Sequence, residues 1–171
     1  VGRVEGRWDY SFSGKQGEKF ENYLKSLEVP IITICNRISP TWPFVGIRDR
    51  EVTKNAVRFV ASRGYQKVIF VCPPLRHKDK ENIYAPEERL QGYIEAVEQM
   101  GLDAPIVAGD ENFLDVAQDN ITKNHRKTAI FCSSDIYALR ILTWLKSKGI
   151  RVPDDVGLLG FDNIDVLEYV D

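Results

Sequence analysis

From Arg50 onward, short runs rich in apolar and β-branched residues alternate with longer stretches whose apolar residues recur every three or four positions. That alternation predicts a parallel sheet covered by helices, because a strand period and a helix period in strict succession leave few other ways to bury both. Val52, Ala56, Val57 and Val60 mark one helical face, Gly64 supplies a stop, and residues 67–72 read as a strand buried on both sides. In the next step Pro86 suits a first helical turn with Glu87 and Glu88 at its positive end, Leu90, Ile94, Val97 and Met100 form the buried stripe, and Gly101 ends it. A strand over 105–108, a helix over about 112–124 and a strand over 128–132 follow, with Ser133 or Asp135 placed to cap the next helix. Ile136, Leu139, Leu142 and Leu145 turn that helix inward, Gly149 ends it, and a Pro-Asp-Asp connector leads to a last strand over 156–161 before the polar Asp162 and Asn163.

The first forty-odd residues have a different texture. A short strand over 3–8, a polar glycine-containing loop, a helix over about 17–27 and a strand over 31–35 precede Ser39-Pro40-Thr41-Trp42-Pro43. Two prolines so close together deny the chain both a helix and a central strand, so a subdomain boundary is expected there, dividing residues 1–44 from 45–171.

Composition narrows the class. With 43% hydrophobic and 28% charged residues in 171, the chain can bury a core. Lys plus Arg number 23 against 25 Asp plus Glu, so no basic surface for nucleic acid is expected from these residues themselves. The longest apolar runs are too short to span a bilayer and no secretory leader opens the chain, so no membrane partner is expected. Cys35, Cys72 and Cys132 each close an apolar run and read as free thiols on buried strands, which favours a reducing, cytoplasmic compartment. They stand far apart with only His77 and His125 as helpers, so no metal site is expected.

No phosphate loop, dinucleotide fingerprint, zinc-protease helix or nucleophile elbow occurs. The chain is therefore read as a non-enzyme without a cofactor. Asp154-Asp155 sits in a proline-containing turn, where aspartate serves local hydrogen bonding. More informative are the polar residues that follow the predicted strands: Asn36 and Arg37 after 31–35, Ser133, Ser134 and Asp135 after 128–132, Asp162 and Asn163 after 156–161. Ligands of open α/β sheets bind beyond the carboxyl ends of parallel strands. Aspartates accept hydrogen bonds from vicinal hydroxyls and arginine donates a planar fork, so the set suits a neutral polyhydroxylated ligand or a small anion. Each residue alone also reads as a cap or turn former.

Glu88-Arg89-Leu90-Gln91-Gly92-Tyr93, residues 128–135 followed by Ala138-Leu139, and residues 149–156 leading to Gly160-Phe161-Asp162-Asn163 resemble, in order and spacing, the lactose-repressor (LacI/GalR) family of bacterial regulators. With Val29-Pro30-Ile31 and residues 64–68 the resemblance covers nearly the whole chain. It implies a type I periplasmic-binding-protein-like fold: two Rossmann-like subdomains that close on an effector, usually a sugar or nucleobase, coupled to a helix-turn-helix headpiece. Residues 1–44 would then be a remnant of the N-terminal subdomain and 45–171 the C-terminal effector-binding subdomain, the fold being truncated at both ends. Arg89, Asp135 and Asp162 would line the cleft with Ser134, and Asn36 and Arg37 would approach from the opposing subdomain. Ser134 stands where the family often has asparagine, and Tyr65 where it has histidine. DNA would be bound only through the missing headpiece, the parent would be a homodimer, and the truncated fragment alone would bind effector weakly. The resemblance leaves a periplasmic sugar-binding protein of an uptake transporter as the alternative.

Overall fold

The computed structural model describes residues 14–35, 37–72, 84–109, 113–122 and 126–170; Asn36, the expected strand over 3–8 and the charged run over 76–81 lie outside the described residues. The chain divides into two compact units, Val1–Arg48 with Leu75–Glu87, and Asp49–Pro74 with Glu88–Asp171.

In the first unit, helix α1 (Gly14–Ser26) precedes two short parallel strands, β1 (Thr33–Ile34) and β2 (Phe44–Val45), with Thr33 opposite Phe44 and Ile34 opposite Val45. The proline segment leads directly into β2. Pro43 cannot donate to a ladder, but its carbonyl accepts the Thr33 amide at 2.9 Å, which suits proline at a strand start. The expected strand over 31–35 is thus only two residues long, and a second strand that periodicity does not announce lies beside it. Cys35 corrects the expectation of a buried thiol: it is exposed and turns at φ 62°, ending the strand. Ile32 and Ile34 are exposed as well, so the apolar run of this unit does not mark a buried strand among the described residues.

The second unit carries a four-stranded parallel sheet in the order β4-β3-β5-β6, from Ile106–Ala108, Lys67–Val71, Thr128–Cys132 and Gly157–Leu159. Helices α2 (Asp49–Ser62), α3 (Tyr84–Met100), α4 (Phe113–Thr122) and α5 (Asp135–Ser147) alternate with these strands, and a 3-10 turn occupies Asp165–Tyr169. Every residue of β3 and β5 is buried, as expected of central parallel strands with both faces covered. Ile69, Val71, Ile130 and Cys132 pack with Ile141 and Leu145 of α5 and Phe113 and Ala117 of α4. Fully burying one such side chain stabilises the fold by about 1.5–3 kcal/mol. Burial raises both sulfhydryl groups, Cys72 to about 11 and Cys132 further, so neither is a thiolate near neutral pH.

Tyr93 ties α3 to the sheet. Its ring stacks on Phe70 at 4.9 Å, and its buried hydroxyl donates to the Val68 carbonyl at 2.7 Å while accepting the Ile106 amide at 2.8 Å. One phenol therefore satisfies backbone groups of two neighbouring strands, β3 and β4. The stop glycines Gly64 and Gly101 adopt φ 83° and 61°, as their place after helices requires.

Candidate functional site

Two glycines make the site possible. Gly92 lies on α3 where it crosses the start of α2, and a Cβ there would come within 2.4 Å of the Arg50 carbonyl oxygen. Only a residue without a side chain allows this approach. Arg89, three residues earlier on the same helical face, is thereby brought to the α2 N-terminus. There its Nε donates to Asp49 Oδ1 at 2.7 Å. Arg89 NH1 reaches past the end of β5 to the Ser133 carbonyl at 2.5 Å and past the end of β6 to Asp162 Oδ1 at 3.4 Å. The guanidinium carbon lies 3.6 Å from the Phe161 ring centroid, a stacked cation–π geometry.

Gly160 does the second job. A Cβ at this position would overlap Asp135 Oδ1 at 2.1 Å, so the glycine leaves room for that carboxylate. Asp135 Oδ2 accepts the Ile164 amide at 3.0 Å, and its own amide donates to the Phe161 carbonyl at 2.8 Å. Asp135 thus clasps both sides of the turn that carries Asp162. Within that turn Asp162 and Asn163 adopt φ 103° and 56°, a region that aspartate and asparagine enter more readily than other non-glycine residues. Non-glycine backbone in such regions gathers at ligand sites.

Burial grades the cluster. The Arg89 and Asp49 side chains are 12% and 3% exposed, whereas Asp162 is 40% exposed. Loss of water raises the Asp162 carboxyl above its ordinary range, the neighbouring Asp135 and Asp49 charges add to the rise, and Arg89 opposes it.

Of the residues expected from sequence, Arg89 and Asp162 are brought into direct contact, and Asp135 holds the same turn from beneath. Ser134 takes the N-cap position of α5 without a side-chain cap bond, which corrects the expectation that Ser133 or Asp135 would be the cap. Arg37 belongs to the first unit, where it lies 5.5 Å over the Phe44 ring. Asp49 is the residue that sequence reasoning missed. Its position as first residue of α2 reads as an ordinary helix-start carboxylate, and nothing local reveals that the basic partner lies forty residues away.

Residues 57–171 match the periplasmic binding protein-like domain family. The chain is 30% identical over 151 residues to the HTH-type transcriptional repressor CytR of Escherichia coli K12, covering 84% of this chain and 42% of the repressor. It is 38% identical over 88 residues to the repressor PurR of Photobacterium profundum, covering 48% of this chain and 26% of PurR. The chain therefore spans less than half the length of these relatives. Among solved structures, a probable maltose operon transcriptional repressor from Staphylococcus aureus shares the fold, with a TM-score of 0.74 at 21% identity over 92% of this chain and 57% of that one.

Proposed function

The chain belongs to the periplasmic binding protein-like domain family, in the form found in LacI-type regulators, and from that premise we propose that it is the effector-binding part of a bacterial transcription repressor. The observation that carries the proposal is the convergence of Arg89, Asp49, Asp162 and the Ser133 carbonyl beyond the carboxyl ends of β5 and β6. That is where open parallel sheets bind small ligands. A polyhydroxylated effector, a sugar above all, bound there favours one conformation of the parent protein and so biases its affinity for DNA. Arg89, Ser134, Asp135 and Asp162, all of the second unit, serve the effector. DNA contact belongs to a separate headpiece, and the parent works in the cytoplasm as a homodimer.

The relatives are repressors, not enzymes, and a transport-linked sugar-binding protein is not favoured. No helix among the described residues is long and apolar enough to cross a membrane. The test uses the full regulator and a labelled operator, read by fluorescence anisotropy against a panel of sugars and nucleosides. One panel member should shift operator affinity, and Arg89→Ala should weaken that ligand's binding by about ten- to hundredfold, the weight of a charge-assisted hydrogen bond. No shift by any member, or an unchanged response in Arg89→Ala, would overturn the assignment.

A further inference from the structure

A polar set of arginine and aspartates suits either a neutral polyol or an anion when read from sequence, and the geometry separates the two. Arginine captures phosphate or carboxylate by a fork, using either Nε with one terminal nitrogen or both terminal nitrogens together. In Arg89 the Nε is held by Asp49 at 2.7 Å. NH1 is held by the Ser133 carbonyl at 2.5 Å and Asp162 at 3.4 Å. Each fork has already lost a donor, and Phe161 stacks on the guanidinium 3.6 Å away. The second terminal nitrogen is the one without a partner among the described residues, and its two N–H groups can each serve a hydroxyl or carbonyl oxygen but make no fork with an occupied neighbour.

The surrounding charge points the same way. Asp49 and Asp162 both pair with Arg89, and Asp135 lies beneath the same turn, so the cluster sets two paired carboxylates and a third nearby against one guanidinium. An added anion would meet a net negative field across a face where Asp49 is almost wholly removed from water. A hydroxyl or ammonium would meet acceptors, the exposed Asp162 carboxylate first.

We propose that this face selects ligands that are uncharged or cationic at the Arg89 end and rejects phosphorylated or carboxylated ones. The inference rests on the effector-binding reading above and adds a charge class to it. In this view Asp49 is a positioning residue: it holds Arg89 through Nε and withholds the fork from anions.

Calorimetry on the full regulator tests this with ribose and ribose 5-phosphate, glucose and glucose 6-phosphate, adenosine and adenosine 5′-monophosphate, and inorganic phosphate alone. The neutral member of a binding pair should bind about ten- to hundredfold more tightly than its phosphate. In Asp49→Asn the gap should narrow, while Asp162→Asn, at an exposed position, checks the charge effect should Asp49→Asn fail to fold. A phosphorylated member that binds more tightly than its neutral partner would overturn the proposal. If no pair binds, inorganic phosphate decides: submillimolar phosphate binding lost in Arg89→Lys overturns the charge selectivity, and absence of phosphate binding upholds it. Operator release, measured separately, reports failure of the effector reading itself.

Discussion

Two places in the second unit set one arginine between two aspartates. At the carboxyl ends of the strands, Arg89 holds Asp49 and Asp162; in the turn before β6, Arg151 holds Asp155 through Nε and NH2 at 3.0 and 2.8 Å and Asp154 at 3.6 Å. The second cluster has the fuller hydrogen bonding, since Asp155 also accepts the Arg151 amide at 2.8 Å. Yet the Arg151 side chain is 68% exposed against 12% for Arg89. Water screens the Arg151 pair, and mobile surface side chains gain little from pairing. In the first cluster Asp49 has no access to water as a substitute partner, so each charge depends on the other. The carboxyls respond in opposite directions: Arg151 lowers Asp155 to about 2 by hydrogen bonding, whereas loss of water raises Asp162 despite its arginine. The same three residue types thus make a turn clamp in one place and a candidate ligand site in the other.

The largest expected effect breaks the buried pair. Asp49→Ala leaves Arg89 without its principal partner, and removing one side of a buried ion pair costs about 3–5 kcal/mol. Urea denaturation should show it as a clear fall in midpoint. A change no larger than that of Asp154→Ala would erase the distinction between the clusters.

A smaller effect follows from Asp162. Its raised carboxyl binds a proton more readily in the folded chain, so it favours folding below the unfolded value near about 3.9 and loses that contribution as pH rises through the folded value. Asp162→Asn should therefore match the wild type near pH 3 and equal or exceed its stability at pH 7. Denaturation across that range checks it, and a variant that is less stable at pH 7 contradicts the raised carboxyl.

The smallest effect belongs to Asp155, whose shift has the opposite sign. Its contribution is present above about 3.9 and disappears as pH falls toward about 2. Asp155→Asn should remove that acid-limb dependence and little else, and 1 M salt should shrink the difference further. A loss comparable to Asp49→Ala would show that the exposed turn matters as much as the buried pair.

Much of the second unit was legible because its signals are local. β5 runs over Thr128–Cys132 as its apolar run requires, and helices stop before Gly64 and Gly101, which take the left-handed conformation expected there. The first unit was less legible, because apolar runs there do not report burial. Cys35, Ile32 and Ile34 have the composition of a buried strand and are nonetheless exposed. Exposure depends on what covers a strand, which the strand's own residues do not encode.

The candidate site divides in the same way. Asp135 and Asp162 could be picked out in advance as polar residues after predicted strands, and Arg89 through the family resemblance that its segment carries. Within the second unit the sequence by itself determined the order of the four sheet strands and the helices between them, since hydrophobic period and stop glycines act over a few residues. Only the tertiary structure decided that Gly92 lets α3 close on α2 and bring Arg89 to Asp49. It alone decided that the Arg89–Asp49 pair is buried and the Arg151 cluster wet. Those outcomes depend on distances between segments tens of residues apart, and on the water excluded when they pack, neither of which a local pattern contains.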